Sequence, residues 1–261
     1  MQDQVVWITG ASSGIGEALA IAFAKKGARV ILSSRRREAL EAVKKNSSNG
    51  DRMEVIPLDM TQAKDVQERA QEVIQQFGRV DILVNNAGIS QRSLVKDTPL
   101  EIDRRVMEVD FFGTVALTKA VLPIMLAQKS GRILVVSSLT GKFGTPLRSA
   151  YAAAKHALHG FFDSLRAEVH DDGLQVMLIC PGFIKTDVSK NAITADGTKH
   201  DKMDDKQASG MDPSDLAERI IRAMQAGKEE AYFGGYETFG VYLKRFFPRL
   251  FSRYIRQAKV T

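Results

Sequence analysis

A chain of 261 residues, 44% hydrophobic and 26% charged, has the size of one large α/β domain or two small ones. It can bury a large core, which excludes a disordered or low-complexity protein. Its single cysteine, Cys180, excludes a disulfide framework, and four histidines (His156, His159, His170, His200) without ligand spacing give no reason to expect a metal. The formal charge of +6 sits in the tail: Lys244, Arg245, Arg249, Arg253, Arg256 and Lys259 fall after Gly240 without an acid, while the first 239 residues carry 31 basic and 31 acidic groups. A basic body for nucleic acid is therefore not indicated.

Seven short apolar runs alternate with helical stretches: VVWIT at 5–9, RVILS at 29–33, MEVIPL at 53–58, DILVN at 81–85, RILVVS at 132–137, LQVMLIC at 174–180 and EAYFG at 230–234. Between them, EALAIAFAKKG at 17–27 and DVQERAQEVIQQFG at 65–78 have helical periodicity. Near-continuous apolar strands separated by helices predict a parallel sheet covered on both faces, an α/β single domain. Residues 189–210 show no period and read as a lid. No apolar run reaches about 18 residues, so no membrane-spanning helix is expected. Strand-like sequence from Gln4 gives no signal peptide, and the expected location is cytoplasmic.

The first strand runs into TGASSGIG at 9–16. Gly10 permits a tight turn, Gly14 lets backbone approach a pyrophosphate, and Gly16 allows close helix–strand contact. Ser12, Ser13 and Ile15 complete the loop, and the helix N-terminus offers N–H groups to phosphates. After the second strand come Ser34, Arg35 and Arg36, with no acid until Glu38. An acid there would bind ribose hydroxyls; arginine with Ser34 suits a 2′-phosphate, which favours NADP(H) over NAD(H).

These motifs, with LDMT (58–61), NNAG (85–88), SS (137–138), YAAAK (151–155) and PGFIKT (181–186), resemble the short-chain dehydrogenase/reductase (SDR) family over nearly the whole chain. The flanking text at 112–123, 149–168 and 191–197 is similar to a narrower branch that includes dehydrogenase/reductase SDR proteins and 11β-hydroxysteroid dehydrogenases. The resemblance implies a Rossmann-like doubly wound sheet of order 3-2-1-4-5-6-7. It places a catalytic domain over 1–239, the substrate lid within it, and a basic amphipathic extension over 240–261. It assigns Asp59, beside Met60, to the adenine amine, and Asn85, Ala87 and Gly88 to the adenosine side. Pro181, Gly182, Ile184 and Thr186 fall to the nicotinamide carboxamide. Ser138, Tyr151 and Lys155 become the catalytic residues, with Tyr151 and Lys155 also on the cofactor.

Chemistry supports these residue types independently. Positions i and i+4 of YAAAK share a helix face. An ordinary tyrosine is too weak an acid to serve as a base near neutral pH, and a lysine cation stabilises its phenolate. Ser138 would hydrogen-bond the substrate oxygen as it gains charge. His156 and His159 read as packing or surface residues. One departure stands out: Asp110 occupies the family's asparagine position in Val109-Asp110-Phe111-Phe112-Gly113. A carboxylate there accepts but cannot donate. It would hold the lysine cation, weaken its effect on Tyr151 and move the pH optimum upward.

Leu139, Phe143, Leu147, Phe183 and Ile184 suggest an apolar substrate wall. Arg92, Lys142 and Arg148 read as solvated charge rather than as a site for an anionic head group. The resemblance hints at acyl- or alkyl-dihydroxyacetone phosphates, or at steroids. In the tail, Leu243, Phe246, Phe247, Leu250, Phe251, Tyr254 and Ile255 form an amphipathic stripe that Pro248 kinks or restarts. The stripe packs on the body, on a second subunit, or on a membrane surface. The expected function is an NADPH-dependent carbonyl reductase that forms a dimer or tetramer. Its alternatives are a 3-oxoacyl-carrier-protein reductase and a catalytically weak NADP(H)-binding sensor or membrane adaptor.

Overall fold

Each apolar run forms a parallel strand in the computed structural model, which describes residues 1–258. They are β1 (Val5–Thr9), β2 (Arg29–Ser33), β3 (Met53–Val55), β4 (Ile82–Asn85), β5 (Gly131–Val136), β6 (Leu174–Pro181) and β7 (Glu230–Phe233). Lys259, the last basic residue of the tail, lies outside the described residues. The sheet order is β3-β2-β1-β4-β5-β6-β7, the one the resemblance implied. MEVIPL yields a three-residue strand, and on either side of Pro57 the Ile56 and Leu58 N–H groups still donate to the carbonyls of Leu32 and Ser34.

Successive side chains of a strand face opposite sides, and here both sides are buried. Val6, Ile8, Val30, Leu32 and Val84 pack under α1 (Gly14–Lys25), α2 (Arg37–Asn46) and α8 (Pro213–Gln225). Trp7, Ile31, Leu83, Ile133 and Leu178 pack on the other face under α3 (Ala63–Phe77), α5 (Gly113–Gln128) and α6 (Ser149–Glu168). That double burial is why the strands read as continuous apolar runs instead of alternating ones.

Between α3 and α5 lie α4 (Leu100–Met107) and a π turn, Glu108–Phe112. Together they make one continuous helix, Leu100–Gln128, that is long and apolar enough by length and composition to cross a membrane. Counting uninterrupted apolar runs missed it, because polar residues punctuate it. Three of those residues face inward: Asp110, Thr114 and Thr118 are buried with Leu117, Val121 and Met125, while Glu101, Arg104, Arg105 and Lys119 are exposed. The helix packs against α3 and α6 as a core element.

The segment expected to lack structure is tied down. Ile193 bridges to Gln91 and to Lys199, and α7 (Asp205–Ala208) is a single helical turn. Asp196 accepts from the Thr198 amide and from the Thr194 and Thr198 hydroxyls, which hold its carboxyl down to about 2. The tail forms α9 (Phe239–Phe246) and α10 (Pro248–Gln257), with Pro248 starting the second helix.

Candidate active site

Strand order reverses between β1 and β4, which opens a crevice beyond their carboxyl ends. A cavity of about 830 Å³ occupies it. Gly10 and Gly14 have φ of +63° and +60°, values that disfavour any other residue. A Cβ on Gly16 would lie 2.3 Å from the Gly10 carbonyl oxygen, so this glycine lets α1 close onto the loop. Ser12, Ser13, Gly14 and Ile15 line the cavity, and the Ser13 side chain does not cap α1, whose first N–H groups stay available.

Two residues that the motif reading passed over hold this loop in place. Thr9 Oγ1 accepts the Asn86 and Ala87 N–H groups, both at 3.0 Å, and Asn86 Nδ2 donates to the carbonyls of Thr9 (2.9 Å) and Gly10 (3.2 Å). The second asparagine of NNAG is the residue that carries this contact. Asn85, expected on the adenosine side, turns away from the cavity and donates to Thr118 Oγ1 at 3.0 Å. The residues of β4 alternate sides, so neighbouring asparagines have different tasks.

Ser34, Arg35, Arg36, Asp59, Met60, Ala87 and Gly88 all line the cavity. Ser34 Oγ is buried without a hydrogen-bond partner, while Arg35 and Arg36 are exposed and form no ion pair among the described residues. Asp59 Oδ1 accepts from the Thr61 amide and hydroxyl, which fixes its orientation. A phosphate-accepting glycine cradle, a free helix N-terminus and an orphaned hydroxyl beside two unpaired cations are what an adenine dinucleotide with a charged ribose requires. The residues fit such a group.

Ser138, Tyr151, Lys155, Pro181, Gly182, Ile184 and Thr186 line the same cavity. The Thr140 N–H donates to Ser138 Oγ at 3.1 Å, so the hydroxyl is fixed at the start of a helical turn. Lys155 Nζ lies 5.4 Å from the centre of the Tyr151 ring and donates to the Val136 carbonyl at 3.1 Å. Asp110 does not line the cavity. It stands behind the lysine, fully buried, with Oδ1 accepting the Ile89 N–H at 2.7 Å and Oδ2 3.2 Å from Nζ. That second contact is an ion pair without hydrogen-bond alignment. Burial pushes the Asp110 carboxyl up, against the pull of Lys155 and of the Ile89 amide. Burial alone would lower Lys155, but Asp110 and Tyr151 together outweigh it and hold the ammonium above its ordinary value. The π turn delivers Asp110 to this position, as such turns often do at functional sites.

His159 is buried, as the packing reading had it, but it is not inert. Its Nε2 lies 3.0 Å from Ser137 Oγ and 3.7 Å from Cys180 Sγ, and its Nδ1 is 3.4 Å from Glu230. Ser137 Oγ also donates to the Lys155 carbonyl. These contacts join the strand edge at Glu230 to the catalytic helix, and nothing in the sequence spacing announced them.

Arg92 and Arg148, read as solvated, are buried instead. Both pair with the buried Asp204 Oδ2, at 2.6 Å and 3.0 Å, and so anchor the lid to the loop after β4 and to the start of α6. Burial and the neighbouring Arg92 lower Arg148 to about 10, against the pull of Asp204. Lys142 is bound to Glu230 at 2.7 Å. Leu139, Phe143, Phe183 and Ile184 line the cavity as expected. Leu147 does not line it; its φ of +67° directs its carbonyl to the Ser93 N–H. The tail lines the far end, through Phe239, Leu243, Phe246, Phe247, Phe251 and Tyr254.

Residues 4–197 match the family model for short chain dehydrogenase. The chain is a short-chain dehydrogenase/reductase. It is 42% identical over 261 residues to dehydrogenase/reductase SDR family member 7B of Rattus norvegicus, an alignment covering 97% of this chain and 80% of that protein. Among solved structures, a short-chain dehydrogenase from Streptomyces avermitilis superposes with a TM-score of 0.83 at 30% identity over 96% of each chain. An alcohol dehydrogenase from Thermococcus sibiricus complexed with 5-hydroxy-NADP gives 0.77 at 25% identity, over 90% of this chain and 97% of that one. An SDR from Burkholderia phymatum in complex with NAD shares the fold, at 0.82 and 22% identity over 95% of each. SDR proteins bind a nicotinamide cofactor, and these neighbours hold both forms of it. This SDR chain is accordingly an oxidoreductase with a Rossmann-like fold.

Proposed function

We propose that this SDR protein is an NADP(H)-dependent reductase of ketones, or oxidant of the matching secondary alcohols, acting on an apolar, lipid-like substrate. The observation that carries the reading is the convergence of Ser138, Tyr151 and Lys155 on the cavity that the glycine loop opens. The nicotinamide, when bound, supplies or accepts the hydride. Tyr151 would give the substrate oxygen its proton from Oη, and Ser138 Oγ would hydrogen-bond that oxygen as it gains negative charge. Lys155, gripped by Val136 and Asp110, would hold a positive charge beneath the Tyr151 ring. Ser34 and Arg35 favour the 2′-phosphate form of the cofactor, since a planar guanidinium forks onto phosphate and no acid competes for the ribose. Leu139, Phe143, Phe183 and Ile184, with the aromatic tail, favour a substrate with an apolar body, whether a long-chain dihydroxyacetone phosphate or a steroid. Dimer or tetramer formation belongs to the same reading, with the exposed Phe112 beside Phe111 and Phe161 as an apolar contact.

The test follows NADPH consumption by the purified chain against acyl- and alkyl-dihydroxyacetone phosphates, steroid ketones and 3-oxoacyl thioesters. Turnover on one class is expected, and Tyr151→Phe should lower kcat by about a thousandfold with NADPH affinity kept. Tight NADPH binding with no turnover on any class would replace the reductase with a sensor.

A further inference from the structure

We propose that α9 and α10 form a docking face for an anionic lipid bilayer, and that the active-site cavity opens onto this face. The tail meets the body through part of its surface, with Val241 and Leu243 of α9 packed on it and Lys244 Nζ donating to the Lys142 carbonyl at 3.0 Å. Phe251 and Ile255 pack with Leu139, Phe143 and Cys180, and the Phe251 and Phe143 rings lie 5.2 Å apart. The positions between them turn outward. Phe239 is 71% exposed, Phe246 68%, Phe247 63% and Leu250 55%, with Tyr242 and Tyr254 about half exposed. So many large apolar side chains left in water along two consecutive helices mark an interaction surface rather than ordinary scatter. In α10 the exposed Leu250 and Tyr254 are four residues apart, so they share one side of the helix, and Phe247 stands exposed just before its first turn.

Charge indicates what covers this side. Arg245, Arg249, Arg253 and Arg256 are exposed, and none of them forms an ion pair among the described residues. No acidic residue follows Glu237. Apolar rings flanked by uncompensated arginines suit a bilayer interface, where the rings sit at the acyl boundary and the cations meet anionic head groups. A second copy of the chain fits less well. Two-fold pairing of this face would set arginines against arginines with no acid on either side.

The cavity gives the face a purpose. Phe246, Phe247 and Tyr254 are exposed at the surface and also line the cavity, so they form its rim. A membrane-dissolved ketone would pass from lipid to Tyr151 without crossing water. Only this consequence rests on the reductase reading; docking itself does not.

The experiment is co-sedimentation of the full chain with phosphatidylcholine vesicles and with vesicles that also contain phosphatidylserine. The wild type should bind the anionic vesicles at least about tenfold more tightly than the neutral ones, with the advantage lost in high salt. Arg249→Gln with Arg253→Gln should remove roughly tenfold or more of the anionic binding. Phe246→Ser with Phe247→Ser should abolish binding to either vesicle. Thermal melts of both variants should match the wild type, since the altered side chains stand in solvent. Absence of vesicle binding, equal binding to both compositions, or variants that bind like the wild type would overturn the proposal. So would an aromatic variant that turns an oligomer into a monomer by light scattering while no form sediments, for then the face is a subunit contact. Turnover is not read in any arm, so an inactive enzyme that docks would sink the reductase reading and leave this one standing.

Discussion

Lys155 Nζ and Asp110 Oδ2 lie 3.2 Å apart with both side chains shut away from solvent, so the charge behind the catalytic helix is a pair and not a lone cation. An asparagine at this position would carry no charge to offset the lysine's. Here the carboxylate cancels part of the field that Lys155 exerts on the Tyr151 phenol. Asp110→Asn removes that cancellation. In the direction of alcohol oxidation, where the phenolate is the working base, the acidic limb of the kcat/KM profile should then move to lower pH by about one unit. Asp110→Ala leaves the buried ammonium with the Val136 carbonyl but no counter-ion, and should cost about 3–5 kcal/mol in urea unfolding. A profile identical in wild type and Asp110→Asn would mean that the carboxyl has no influence on the reacting proton.

The proposed preference for NADP(H) rests on Arg35. With Ser34 Oγ buried and unpartnered next to it in sequence, the end of β2 offers donors that suit a phosphate. Hydrogen bonds to a charged group contribute about 1.5–3 kcal/mol, so Arg35→Ala should raise the NADPH dissociation constant by about 10- to 100-fold. NADH affinity should hardly move. Equal losses for the two cofactors, measured by fluorescence titration, would show that Arg35 acts on the loop and not on a 2′-phosphate.

What the sequence made legible was local. Double burial of every strand, the glycines at positive φ and the YAAAK spacing each depend on neighbours within one or two turns, and each could be read without coordinates. Contacts made across the chain were hidden. Nothing near Arg92 or Arg148 hinted at Asp204, which lies 112 and 56 residues away from them. Two adjacent asparagines looked interchangeable until the side-to-side alternation of β4 separated Asn86 from Asn85. The tail's periodicity gave an amphipathic helix but not which of its sides meets the body, because Leu250 and Phe251 are equally apolar neighbours and only Phe251 is buried.

Glu230 ties stability to acid. Burial would raise its carboxyl, but Lys142, His159 and the Tyr232 hydroxyl surround it, and together these partners hold it down to about 2. A depressed carboxyl stabilises the fold above its unfolded value of 4.5, and that contribution drains away as pH falls from there towards about 2. Allowing for solvent screening of a half-buried group, the loss should be about 1–2 kcal/mol. Glu230→Gln should show the deficit already at neutral pH and a flatter stability curve across the same window. Parallel curves for the two proteins would assign the acid sensitivity elsewhere.

Asp204 is the counter-ion of two buried arginines, and its loss has a predictable site of damage. Asp204→Asn keeps the shape but leaves Arg92 and Arg148 facing each other without a shared anion. Breaking a buried pair in this way costs about 3–5 kcal/mol when the remaining charge stays buried. The lid has a cheaper escape if its C-terminal half opens, since Ile193 ties the first half to Ser90 and Arg92 while Asp204 and Gln207 anchor the second. The variant should therefore lose less than that in global unfolding while gaining protease cleavage within 189–210 at an early time point. Its KM for an apolar ketone should rise more than its kcat falls, because the lid shapes the substrate wall and not the proton path through Tyr151. Cleavage rates like those of the wild type, combined with the full unfolding penalty, would show that the ion cluster braces the body of the protein and not the lid.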